Sequence, residues 1–118
     1  MEKFTVTLPL TGEYLTTVRL TTGGLCALAG FNVDETEDYK VCVTESLLIL
    51  KRNGYRSASI YFTVGETLAC KVQGENGDGT FEENIEDEIS RALLSALVGE
   101  VSFETDNFGR VEIISFVG

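Results

Sequence analysis

Asn32 to Asn53, followed by Gly54, reads NVDETEDYKVCVTESLLILKRN-G and is the most legible segment of the chain. Asp34 and Glu37 have the spacing of a capping box, with Asp34 as the cap. Asp34, Glu35, Glu37 and Asp38 crowd the start, where the helix dipole favours acids, and Lys51 and Arg52 stand near the end. Val41, Cys42, Val43, Leu47, Leu48, Ile49 and Leu50 cover most of the circumference between them. A helix apolar nearly all round is a central one, packed on more than one side. Glu45 is the anomaly. On a helical wheel it falls between Val41 and Leu48 on one side and Cys42 and Ile49 on the other. A carboxylate in an apolar arc is costly unless it is satisfied or functional. It either reaches water or an arginine at the helix edge, or carries chemistry.

Working outward, Lys3 to Leu10 alternates as a strand closed by Pro9, with Phe4, Val6 and Leu8 on one face. Gly12 to Gly30 reads as a helix with Tyr14, Leu15, Val18, Leu25, Leu28 and Ala29 as its apolar stripe and Gly30 as C-cap. Gly23-Gly24 inside it weakens the helix by roughly 1 kcal/mol per glycine, so a kink or a close neighbour is expected there. Downstream, Arg56 to Val64 and Thr67 to Gln73 form a hairpin about Gly65-Glu66, and Gly74 to Thr80 (GENGDGT) reads as a loop. Ile85 to Val98 is helical. Gly99 to Thr105 and Arg110 to Phe116 are strands joined at Asp106-Asn107-Phe108-Gly109. The order β-α-α-β-β-α-β-β predicts one α+β domain over residues 1–118, a two-layer sandwich with a mixed, mostly antiparallel sheet and its helices on one face.

Composition narrows the function. The chain of 118 residues carries nineteen acids against nine bases, a net charge of −10. That argues against nucleic acid and anionic membrane surfaces as partners and fits either a protein that binds a basic partner surface or one that is simply soluble. There is no histidine, which removes the commonest general base and transition-metal ligand. Cys26, Cys42 and Cys70 have neither disulfide nor zinc spacing, so reduced, buried thiols in a cytoplasmic protein are expected. No apolar run approaches a membrane span, and the N-terminus lacks the long apolar stretch of a signal peptide. A second candidate feature is Glu75-Asn76-Gly77-Asp78-Gly79, where glycines let a ligand approach the backbone and an acid can accept from an amino group. Its oxygen donors are too few for a calcium loop.

The run Thr36 to Glu45 (TEDYKVCVTE), the aliphatic stretch after it and Asn53-Gly54-Tyr55 resemble the anti-sigma-factor serine kinases, within the histidine-kinase-like ATPases. The ENGDG run resembles that family's adenine-holding loop, and Ala92 to Val101 its last helix running into a strand. The resemblance implies the histidine-kinase-like ATPase (Bergerat) fold. It puts Glu45 at the general-base position and Glu75, with Gly77 and Gly79, at the nucleotide. Ile49 falls where the family has a metal-binding Asn, and offers a hard cation no oxygen. Glu88-Ile89-Ser90, preceded by Glu86 and Asp87, falls where glycines cradle phosphate, setting negative charge against negative charge. The lid between the two boxes is short. The implied cofactor is none, or ATP or ADP held weakly without productive magnesium. The implied role is a regulatory protein that holds a sigma factor or an antagonist protein, with a homodimer and partner face over Thr11 to Leu25 around Arg19. The alternatives are an active ATP-dependent protein serine kinase using Glu45 as base, and an accessory domain whose pocket is filled by Ile49 and Ile89.

Overall fold

The computed structural model describes residues 1–78 and 85–118. Five strands and three helices follow in the order β1 (Glu2–Pro9), α1 (Gly12–Leu28), α2 (Val33–Arg52), β2 (Tyr55–Val64), β3 (Leu68–Gly77), α3 (Ile85–Val98), β4 (Val101–Thr105) and β5 (Val111–Val117). The strands form one sheet in the order β1-β2-β3-β5-β4, and every neighbouring pair is antiparallel. The expected mixed sheet is therefore corrected: among the described residues no parallel pair occurs. The hairpins β2-β3 and β4-β5 are antiparallel by construction, and β1 returns through two helices to pair antiparallel with β2.

Alternation places Leu8, Ala58, Ile60, Phe62, Leu68, Cys70, Val72, Ile114 and Phe116 on one sheet face, all buried. Helix α2 lies against that face with Tyr39, Cys42, Val43, Leu47, Ile49 and Leu50 inside. Each such aliphatic side chain, fully buried, contributes roughly 1.5–3 kcal/mol, so α2 is the centre of the core, as its apolar circumference predicts. The Tyr39 hydroxyl donates to the Leu68 carbonyl at 2.8 Å, which satisfies a buried polar atom that α2 brings to the sheet. Cys26, Cys42 and Cys70 are free and buried. Burial pushes all three thiols up, Cys42 to about 12, so they stay protonated and unreactive.

Several local expectations are corrected. The cap of α2 is Asn32, not Asp34. Asn32 is extended, its Oδ1 accepts from the Glu35 amide at 2.8 Å, and its own amide donates to Glu35 Oε1 at 3.0 Å. The box is thus the same device two residues earlier. In α1 the buried face is Val18, Thr22, Leu25 and Cys26, while Tyr14 and Leu28 face solvent, because α1 touches the rest of the molecule mainly through α2. The close neighbour expected at Gly23-Gly24 exists for Gly23 alone: a Cβ there would come within 2.9 Å of Lys40 Cε, whereas Gly24 faces open space. Strand β3 runs on to Gly77 through what reads as a loop, because Ser57 and Tyr55 of β2 continue the ladder to Glu75 and Gly77.

Candidate functional site

Glu45 is half-buried on the side of α2 that meets α3. The Ser90 hydroxyl of α3 donates to Glu45 Oε2 at 2.6 Å and accepts from Arg52 Nη2 at 2.6 Å. Arg52 Nε pairs with the Asp87 carboxylate, and its Nη1 lies 3.7 Å from Glu86. The other oxygen of Asp87 accepts from Asn53 Nδ2 at 2.8 Å. Asn53 also donates to the Ile49 carbonyl at 2.8 Å, and its Oδ1 accepts from the Val111 amide at 3.0 Å. One continuous polar chain therefore runs from Glu45 through Ser90, Arg52, Asp87 and Asn53 to β5. Glu45 reaches Arg52 only through the Ser90 hydroxyl.

The sequence places these groups together for simple reasons. Arg52 and Asn53 end α2, where bases complement the negative end of the dipole, and Glu86 and Asp87 open α3, where acids complement the positive end. Packing the end of one helix on the start of the other pairs both sets. Arg52 and Asn53 are the members that reading the chain missed as a site, and Asp87 stood only in the stretch at the phosphate-cradle position, not as a partner of Arg52. The available signal was this complementary charge at two helix ends; Asn53 registered only as the end of the helix and as part of the Asn53-Gly54-Tyr55 run.

Ile49 is fully buried. Ile89, expected to help fill the pocket, points outward instead and is exposed, because Ser90 and Leu94 take the α2-facing side of α3. Among the described residues no group of three or more His, Cys, Asp or Glu side chains is placed to hold a metal ion.

Glu75 lies elsewhere. Its Oε1 accepts from Ser59 at 2.8 Å, and Ser59 is 2.9 Å from the Thr7 hydroxyl, a row crossing three strands on the sheet face opposite the helices. The structure thus does not bring Glu45 and Glu75 together: Glu45 bonds Ser90 of α3 on the helix side of the sheet, and Glu75 bonds Ser59 on the other face. Asn76 sits at φ 54°, and its side chain donates to Ser57 at 2.7 Å. Gly74 is needed for packing under the Tyr55 ring, and Gly77 sits close beside Arg110. A Cβ on Gly74 would stand 2.5 Å from the Tyr55 ring, and one on Gly77 2.9 Å from Arg110 Nη1. Gly79 lies outside the described residues.

Glu75 and Gly77 line an open hollow of about 600 Å³ with Tyr55, Asp106, Arg110 and Glu112. There Arg110 stacks on Tyr55 and Phe108 and donates from Nε to Asp106 at 2.7 Å. Burial alone would raise the Asp106 carboxyl. The Phe108 amide, the Arg110 side chain, the Tyr55 hydroxyl and the Arg110 amide outweigh it and hold it down to about 2. Burial and the same Asp106 bond push Tyr55 up to about 12. A larger open trough, about 1080 Å³, crosses the sheet and is lined by Thr5, Tyr61, Lys71, Ser115 and Ser102, one from each strand. Neither hollow is lined by Glu45 or Ile49.

Fold and site together describe an antiparallel α+β sandwich whose central helix carries a bridged carboxylate against the last helix. No protein-family model matches the chain. It is similar to the serine-protein kinase RsbW of Staphylococcus aureus. The proteins of strains JH9, Newman and USA300 are each 29% identical over an alignment of 87 residues that covers 69% of this chain and 55% of the relative. The chain therefore spans about half the length of the curated relatives it matches. No helix among the described residues is long and apolar enough to cross a membrane.

Proposed function

We propose that this chain is an anti-sigma-type regulatory protein, with the histidine-kinase-like ATPase fold, that holds a sigma factor or an antagonist protein without phosphorylating it. The observation that carries this reading is the state of α2. Glu45 is engaged by Ser90, Arg52 is neutralised by Asp87, and Ile49, at the position of the family's metal-binding Asn, is a buried core residue with no oxygen to offer. Phosphoryl transfer needs metal neutralisation of the phosphates and a base free to take the hydroxyl proton. A nucleotide approaching this helix would meet Glu86, Asp87 and Glu88 at the start of α3. The similarity to a serine-protein kinase supports the regulatory class, and the filled α2–α3 contact supports the loss of the transfer step.

The partner face is assigned to β1 and α1. Strand β1 is a sheet edge with backbone groups free to pair, and α1 exposes Tyr14, Arg19 and Leu20. The same face, Thr11 to Leu25, is the proposed homodimer contact. Glu75 with Gly77 and Gly79 remains the proposed place for any residual adenine contact, with ATP or ADP bound weakly and without magnesium. Titration calorimetry with ADP and ATP, each with and without magnesium, tests the first half. The expected result is no magnesium-dependent heat. Capture of a purified sigma factor, lost in Arg19→Glu, tests the second. Magnesium-dependent ATP binding together with labelled phosphate transfer to an antagonist protein, abolished in Glu45→Ala, would replace this reading with the active kinase. Absence of both nucleotide and protein binding would leave an accessory domain.

A further inference from the structure

Helix α3 has two apolar faces, and the fold uses one. Ser90 and Leu94 are buried against α2, with Leu97 half-buried on the same side. On another side Ile85, Ile89 and Leu93 stand one turn apart at 69%, 55% and 38% exposure, and exposed Ala92 and Ala96 complete the stripe. Single exposed aliphatics are ordinary on a protein surface, but three large ones in line over about 12 Å of helix form a contiguous patch. The rim of the stripe is acidic. Glu86 and Glu88 are exposed at its start, Glu100 is exposed just past its end, and the last turn of α3 holds no base. Arg91, the helix's own cation, is turned onto the Phe103 ring at 4.5 Å.

We propose that this stripe is a docking surface for an amphipathic helix of a partner protein, with Lys or Arg flanking its apolar face. The spacing suits helix-on-helix recognition through anchors one turn apart. Charge excludes a second copy of this chain. Antiparallel pairing of two α3 helices sets Glu86 and Glu88 against the other's Glu100 and the negative end of its dipole, and parallel pairing sets acid beside acid. A basic helix relieves both and gains from the net charge of −10. The surface is distinct from the β1–α1 face and does not depend on the anti-sigma reading.

The test is fluorescence anisotropy of the full chain with a labelled 18-residue peptide of Leu and Lys at helical spacing, beside its Leu/Glu counterpart. The Lys peptide should bind and the Glu peptide should not. Ile89→Ser/Leu93→Ser should weaken binding at least tenfold while thermal unfolding shows the variant folded; Ile89→Lys alone serves if the double variant melts early. Glu86→Gln/Glu88→Gln should weaken it less and flatten its salt dependence. Binding of the Lys peptide that is indifferent to Ile89 and Leu93 overturns the proposal, as does no binding. So does concentration-dependent self-association, seen by sedimentation, that Ile89→Lys abolishes, because the stripe would then belong to a second copy.

Discussion

Arg52 and Arg110 are both nearly buried, and each is held by an aspartate, but the two sites are built differently. Arg110 takes its partner from four residues away, across the β4–β5 turn. Asp106 there also accepts the Phe108 and Arg110 amides and the Tyr55 hydroxyl, so one carboxylate organises the whole turn. Arg52 takes Asp87 from 35 residues away and Ser90 from 38, across two helices. The first site is built mainly within the hairpin, with Tyr55 of β2 added from 51 residues away. The second is tertiary and exists only when α3 is docked. An arginine's role here follows from how far its partners lie along the chain: Arg110 makes a turn, Arg52 joins α3 to the core.

The difference can be broken most forcefully at Asp87. Asp87→Ala leaves Arg52 with the exposed Glu86 and the Ser90 hydroxyl, and takes one acceptor from the buried Asn53 amide. Breaking one side of a largely buried pair costs about 3 kcal/mol, and urea unfolding followed by circular dichroism should show a loss of that order. Asp106→Ala comes next. Arg110 keeps its stacking on Tyr55 and Phe108, so the variant should lose less, and its signature is in pH. The folded Asp106 carboxyl sits at about 2 against an ordinary 3.8, so its contribution is complete above 3.8 and disappears as pH falls through about 2. The gap in melting temperature between wild type and Asp106→Ala should therefore close on acidification across that window. A gap that stays constant down to pH 2 would refute the assignment. Ser90→Ala is third. It removes the hydroxyl that joins Glu45 to Arg52 and should cost about 1 kcal/mol by urea unfolding.

The two sites also differ in how far they could be read from the residues alone. The α2 helix, its apolar circumference and the span Ile85–Val98 of α3 follow from periodicity, which acts over a few residues and survives without tertiary context. So does the Asp106–Gly109 turn, where Gly109 at φ 83° takes the left-handed position. The capping box was legible as a type but fell two residues late, because Asp34 and Asn32 are both good caps and only the extended backbone of Asn32 separates them. The tail of β3 was not legible. GENG carries loop composition, and what makes it a strand is the Tyr55 ring over Gly74 and pairing with β2. Glu45 stood out as a misplaced acid, whereas its bridge to Arg52 depends on a serine 45 residues away whose contact no local pattern encodes. The side of the sheet on which Glu75 lies depended on the same extension of β3.

Glu45→Gln should have the smallest effect of the series, and that makes it informative. A glutamine carbonyl can accept the Ser90 hydroxyl as the carboxylate does, and the charge of Arg52 is already balanced by Asp87 and Glu86. Stability should change by under about 0.5 kcal/mol, within the range of substitutions that leave hydrogen bonding intact. If it does, the hydrogen bond matters to the fold and the negative charge does not, and the charge at this position is then free to serve binding or transfer. If the loss instead exceeds that of Ser90→Ala, the charge itself holds α3 in place. The double variant Glu45→Gln/Ser90→Ala separates the two: a strong coupling energy locates the effect in their shared hydrogen bond, and additivity locates it in the field that Glu45 sets on Arg52.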